Sequence, residues 1–278
     1  MARICLVGLG LIGGSLYTAL AGHHDLIGVD LDPAVLKLAK ERGMEATKDL
    51  KVGVEGADLV IVAVPLGKIP LVFKQLAPLI KPGTLVTDVG SVKGTIVRAA
   101  APLFSEGTFV GGHPMAGTEQ RGLSNADPKL FEGRTYVLTP TSDAERKAGE
   151  RVQELLAPLN ARFVEMEPAA HDLAVAYTSH MPFLMATSVA RIAQGATKDV
   201  PDLPLVAAAG FRDTTRLAMS NPTLGADICM ANREALLHAI AAMRYQLSQF
   251  EIMLQNEITV GLEGLFAGVG KWREDLKL

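Results

Sequence analysis

The first 165 or so residues alternate short apolar runs with helical stretches. Residues 3–8, 25–30, 58–64 and 84–89 read as strands, and Pro65 closes the uninterrupted run Asp58-Leu-Val-Ile-Val-Ala-Val64. Continuous apolar runs of this length mark strands buried on both faces, as in a parallel sheet. Helical stretches follow the first three runs: one from the glycine-rich turn to about Gly22, one opened by Pro33 and ended by Gly43, and one over 69–80. Further strands are expected at 108–111, 135–139 and 161–165, with a helix over 144–157. Strands alternating with helices imply right-handed βαβ units. After about Pro168 the strand signal stops. Residues 171–195, 203–219, 222–256 and 259–275 favour helix, with breaks expected at Pro182, Pro201, Pro204 and Pro222. The expected fold class is therefore α/β, with a Rossmann-type, mostly parallel sheet over 1–166 and an all-α helical dimerisation domain over 167–278. Apolar residues occupy several faces of 222–256, a surplus that predicts packing against a second copy of the chain.

Composition narrows the picture. The 278 residues are 49% hydrophobic and 5% aromatic, which suits α/β and helical packing better than a β-sandwich. A net charge of −3 and no long Lys or Arg run give no footprint for nucleic acid. Cys5 and Cys229 read as reduced, buried thiols of a cytoplasmic protein. The uncharged stretch from Ile4 to Gly22 could resemble a leader or a membrane span. Its glycines at 8, 10, 13, 14 and 22 are spaced for a phosphate loop instead, so no membrane association is expected.

The candidate chemistry begins in that stretch. Gly8-Leu9-Gly10-Leu11-Ile12-Gly13 is G-x-G-x-x-G between a strand and a helix. Gly8 permits the tight turn, Gly10 lets backbone approach a pyrophosphate, and Gly13 lets the helix pack on the sheet. The helix N-terminus then offers free N–H groups to phosphate. Asp30 ends the second strand 17 positions after Gly13, near the spacing of roughly 20 expected for a ribose-binding carboxylate. No Arg follows it to receive a 2′-phosphate, so NAD is the expected cofactor rather than NADP. The expected cofactor set is Gly8, Gly10, Leu11, Ile12, Gly13 and Asp30, with Val64, Pro65 and Ser91 at later strand ends. Asp32, directly before Pro33, is the better helix cap, which leaves Asp30 free for ribose.

Two further strand-end segments carry chemistry: Asp88-Val-Gly-Ser91-Val-Lys93 and Gly111-Gly-His113-Pro-Met-Ala-Gly-Thr118-Glu119. Open parallel sheets place ligands beyond these ends. His113, flanked by glycine and proline, reads as a loop residue and is the best general-base candidate among six histidines.

These segments, with S-H-M-P at 179–182 and G-F-R-D-T-T-R at 210–216, resemble the prephenate/arogenate dehydrogenases of tyrosine biosynthesis. The resemblance runs in order across most of the chain. It implies oxidative decarboxylation of a cyclohexadienol: hydride leaves C4 for NAD, CO2 leaves C1, and the ring becomes aromatic. It assigns His113 as the base for the C4 hydroxyl and Ser91 as its hydrogen-bonding partner or the substrate's. Arg216 is assigned to a substrate carboxylate, and Thr118, Glu119 and Ser179 to the substrate pocket. Bland readings stand beside these. Ser91 could cap the following helix, Arg216 could pair with Asp213 or Glu234, Arg212 and Asp213 could simply pair, and His180 reads as structural. Some prephenate-preferring members carry His directly after S-H-L-P. Phe183 stands there in this chain, so prephenate and arogenate both stay open as substrates. No regulatory domain is expected within these 278 residues, and inhibition by tyrosine would then be expected to act at the active site. No metal-ligand cluster is evident, and none is needed. The β-hydroxyacid dehydrogenases share the two-part plan but use a helical Lys, and beyond residue 165 only Lys198, Lys271 and Lys277 occur.

Overall fold

Alternating side chains explain the sheet. The computed structural model describes residues 1–118 and 120–276. β1 (Arg3–Val7) sends Ile4 and Leu6 to one face and Cys5 and Val7 to the other. The glycine turn leads into α1 (Leu11–Leu20), and β2 (Asp25–Val29) returns parallel to β1. α2 (Pro33–Glu41) is capped by Asp32, whose carboxylate accepts from Ala34 N–H at 2.8 Å. Asp30 is thus relieved of that task, as expected.

Two short elements follow that the apolar pattern does not announce, β3 (Ala46–Thr47) and α3 (Leu50–Val54). β4 (Leu59–Val62), α4 (Ile69–Leu76), β5 (Leu85–Asp88) and α5 (Gly94–Ala100) continue the alternation. β6 (Phe109–Pro114), β7 (Thr135–Thr139), α6 (Asp143–Leu155) and β8 (Arg162–Glu165) complete an eight-stranded sheet of order β3-β2-β1-β4-β5-β6-β7-β8. All neighbours are parallel except β6 and β7. Strand order reverses between β1 and β4, the switch point where such sheets bind ligands. Two apolar cores lie on opposite faces, one centred on Leu6, Leu16 and Leu155, the other on Val62, Phe73 and Ile96.

β6 is longer than the pattern suggests. Its first half pairs with β5 and its second half, Gly111–Pro114, pairs antiparallel with β7. His113 therefore lies on a strand, opposite Val137, and not on a loop.

The remainder is helical among the described residues. α7 (Pro168–Val175) runs through a π-helical turn, Ala176–His180, into α8 (Met181–Ala196). Pro182 does not break the helix as expected. The wider π turn directly before it accommodates the missing N–H. α9 (Leu203–Val206) and α10 (Ala209–Thr215) replace one expected helix, and Arg216–Met219 forms a 3-10 turn. The long stretch 222–256 is also two helices, α11 (Pro222–Ala231) and α12 (Arg233–Gln255), split at Asn232. α13 (Thr259–Asp275) ends the described chain. Leu236 and Ala239 are the only fully buried residues of α12, α13 has none, and Tyr245, Leu254, Phe266 and Trp272 are all at least 58% exposed. No helix among the described residues is long and apolar enough to cross a membrane.

Candidate active site

The carboxyl ends of five adjacent strands carry the candidate residues. Gly8 follows β1, Asp30 follows β2, Val64 and Pro65 follow β4, Ser91 follows β5, and His113 closes β6.

The cofactor half is built by backbone fit. Gly8 has φ +99°, and a Cβ there would lie 2.6 Å from the Ala63 carbonyl oxygen. A Cβ on Gly13 would lie 1.9 Å from the Gly8 carbonyl oxygen, so helix α1 can start only with glycine at that place. At Gly10 nothing lies within 4 Å of the Cβ position, which leaves room for a phosphate to meet the backbone. Asp30 accepts Leu9 N–H at 2.8 Å and Asp32 N–H at 2.9 Å. Each carboxylate oxygen keeps a lone pair for a ribose hydroxyl. Gly8, Gly10, Asp30, Val64 and Pro65 line one cleft of about 500 Å³. Leu11 and Ile12 begin α1, and both are half-buried. Lys48 and Lys68 also line the cleft, and Asp30 is its one carboxylate, placed to meet the ribose hydroxyls of an NAD.

The chemical half is a buried polar network. Lys93 and Asp88 are fully buried and ion-paired. The Lys93 ammonium also donates to the Gly112 carbonyl at 2.5 Å, and Asp88 accepts Gly90 N–H at 2.7 Å and Gly112 N–H at 3.2 Å. Burial pushes the Asp88 carboxyl up and the Lys93 amine down, each against its partner's attraction. The pair braces the strand that carries His113. The His113 ring meets His171 edge-on, with Nδ1 2.8 Å from His171 Nε2. His171 Nδ1 lies 2.9 Å from Asp172 Oδ1. Asp172 accepts Lys93 N–H at 2.7 Å and Gly94 N–H at 2.8 Å. Burial, then the Lys93 ammonium, then His171 and His180 hold the His113 imidazole well below its ordinary titration range. The imidazole is therefore neutral near pH 7.

The remaining candidates lie as follows. Ser91 makes no side-chain hydrogen bond to His113 among the described residues, and His113 Nδ1 meets His171 instead. Ser91 does not cap α5 either, since that helix starts after Lys93 with no side-chain cap. Arg216 is exposed and has no ion pair with Asp213 or Glu234 among the described residues. Arg212 and Asp213 do pair, at 3.1 Å. Thr118 is exposed and accepts Gln120 N–H at 3.2 Å, Ser179 is exposed on the π turn, and Glu119 lies outside the described residues. Neither Thr118, Ser179 nor Arg216 is hydrogen-bonded to His113 among the described residues. His180 is buried, 3.0 Å from the Asn232 amide, and burial lowers its pKa to about 4. Phe183 turns to α11, where a Cβ on Gly225 would meet its ring at 2.6 Å. Cys5 is buried and its thiol pushed up to about 12 by burial, whereas Cys229 is only half-buried.

His171, Asp172 and the Lys93–Asp88 pair are the residues that sequence reasoning passed over. The available signal was a His-Asp dipeptide in the first turns of an otherwise apolar helix, after Pro168-Ala-Ala.

Two family profiles match the chain. One, described as "Prephenate dehydrogenase, nucleotide-binding domain", covers residues 16–165, and one described as "Prephenate dehydrogenase, dimerization domain" covers residues 167–267. Prephenate dehydrogenase of Lactococcus lactis subsp. cremoris is 33% identical over 100% of this chain and 78% of its own length. The crystal structure of Synechocystis arogenate dehydrogenase superposes with a TM-score of 0.87 at 34% identity, covering 98% of this chain and 99% of that one. Prephenate dehydrogenase from Aquifex aeolicus, in complex with hydroxyphenyl propionate and NAD+, superposes at 0.92 with 27% identity, covering 99% and 98%.

Proposed function

The chain belongs to the prephenate dehydrogenase family, and from that premise we propose that it performs NAD-dependent oxidative decarboxylation of prephenate to 4-hydroxyphenylpyruvate in tyrosine biosynthesis. The observation that carries the reading is the convergence of Asp30, the glycine turn, Ser91 and His113 at the carboxyl ends of adjacent strands of one sheet.

Bound NAD supplies the hydride acceptor. Asp30 holds its ribose, and the Gly10 backbone with the N-terminus of α1 holds its phosphates. His113 takes the proton of the substrate C4 hydroxyl at Nε2 as that carbon is oxidised. Ser91, half-buried at the end of β5, is proposed to hydrogen-bond the same hydroxyl. Arg216 is proposed to pair with a substrate carboxylate, with Thr118, Glu119 and Ser179 lining the pocket. Loss of CO2 aromatises the ring, and the product oxygen recovers its proton from His113.

A second reading is arogenate, supported by the likeness to the Synechocystis enzyme and by Phe183 in place of a polar residue. A steady-state assay decides it, with each substrate tested against NAD and NADP. Turnover of either substrate with NAD supports the family reaction, and the higher kcat/KM names the substrate. Turnover of neither overturns the proposal.

We place the division of labour near residue 166. The exposed apolar faces of α12 and α13 support a homodimer through the helical part. A sedimentation velocity run giving only a 29.5 kDa species would refute it. Cytoplasmic residence is proposed from the two unpaired cysteines.

A further inference from the structure

We propose that His171 and Asp172 are positioning residues that fix the tautomer of His113 and stabilise the cation it becomes. The inference rests on the role of His113 as the base.

With His171 neutral, hydrogen-bond accounting leaves one arrangement. Asp172 presents both carboxylate oxygens to backbone donors, Oδ1 to Lys93 N–H at 2.7 Å and Oδ2 to Gly94 N–H at 2.8 Å. An ionised carboxylate only accepts, so the 2.9 Å contact from His171 Nδ1 is an N–H donation. A neutral imidazole with a proton on Nδ1 has a lone pair on Nε2. His113 Nδ1, 2.8 Å from that lone pair, must then carry the proton. The remaining nitrogen of His113, Nε2, is left with its lone pair and can accept a proton from substrate. The opposite tautomer would set Nδ1 and Nε2 lone pairs against each other.

The same chain answers the charge. Oxidation of the substrate carbon moves one hydroxyl proton to His113 Nε2, and aromatisation returns one to the product oxygen, so no proton is gained or lost. In between, His113 is an imidazolium. From the β5–α5 side it faces Lys93, a cation that Asp88 neutralises. From the helical side it faces His171 and His180. Asp172 is the anion in line with it, acting through His171 without itself taking the proton. Asn232 secures the arrangement, donating to the Asp172 carbonyl at 2.7 Å and contacting His180 at 3.0 Å.

Neither residue touches the reacting atoms, so activity loss alone would not distinguish positioning from folding. Ring 15N spectra of histidine-labelled protein read the tautomer directly in the resting state, with the His113 signal assigned by its loss in His113→Asn. In the unmodified protein His113 is expected as the Nδ1–H form. In Asp172→Asn and in His171→Phe, the Nε2–H form should become populated. kcat should fall at least about 10-fold. In Asp172→Asn the acid limb of kcat/KM should also move to lower pH, because the base has lost its anion. If Asp172→Asn does not fold, the His171→Phe spectrum decides alone. A pure Nδ1–H His113 in the folded variants, with the acid limb unmoved in Asp172→Asn, would overturn the proposal. Full activity of His113→Asn would instead overturn the base assignment, and the tautomer measurement would still stand by itself.

Discussion

Replacing Lys93 with Met removes one member of a fully buried ion pair and leaves the Asp88 carboxylate without its counter-charge. Truncating one partner of such a pair costs about 3–5 kcal/mol, because the remaining charge stays desolvated. The Gly112 carbonyl also loses its 2.5 Å donor. A chain of this size shifts by roughly 2–4 °C per kcal/mol, so the thermal midpoint should fall by about 6–20 °C. The loss should depend on pH. Burial already pushes the Asp88 carboxyl up and Lys93 pulls it down, so Lys93→Met raises it further. A carboxyl whose folded pKa lies above its unfolded value of about 3.9 binds a proton that the unfolded chain has released. Stability then falls as pH rises from there through the folded pKa. The variant should therefore be closer to the parent near about pH 5 than near about pH 8. Calorimetric melts of both proteins across that range measure the difference. A penalty under about 1 kcal/mol, unchanged with pH, would be that of a solvated surface pair and would refute the buried brace.

Gly13→Ala should abolish NAD binding, measured by calorimetric titration, because its Cβ would sit 1.9 Å from the Gly8 carbonyl oxygen and push α1 off the sheet. Retained affinity would contradict the tight turn. Asp30→Ser should lower kcat/KM for NAD and narrow the preference over NADP, and an enzyme that already prefers NADP would refute the assigned role of Asp30. Tyr136→Phe removes a buried hydroxyl with no partner among the described residues, so stability should be unchanged or higher by up to about 1 kcal/mol in denaturant titration. A loss of about 2 kcal/mol would mean that the hydroxyl is hydrogen-bonded in solution.

The cofactor half was legible because its determinants are local. Alternating Ile4, Cys5, Leu6 and Val7, three spaced glycines and Asp30 all fall within one βαβ unit. His113 stood out as the base candidate from its neighbours in sequence, but its setting was not legible there. Its partner His171 lies 58 residues away, and the two meet because α7 packs against α5, which itself packs on β6. The π turn was hidden because Pro182 reads locally as a stop. The break at Asn232 was hidden because its cause is tertiary: the Asn232 amide serves Asp172 and His180 across the packed helices.

The central claim is that His113 is the base at an NAD site. His113→Asn with prephenate and arogenate, alongside calorimetric titration of NAD, tests it most directly. Nearly unchanged NAD affinity and a kcat lower by about 10²–10⁴ are expected. Undiminished turnover with either substrate would contradict it.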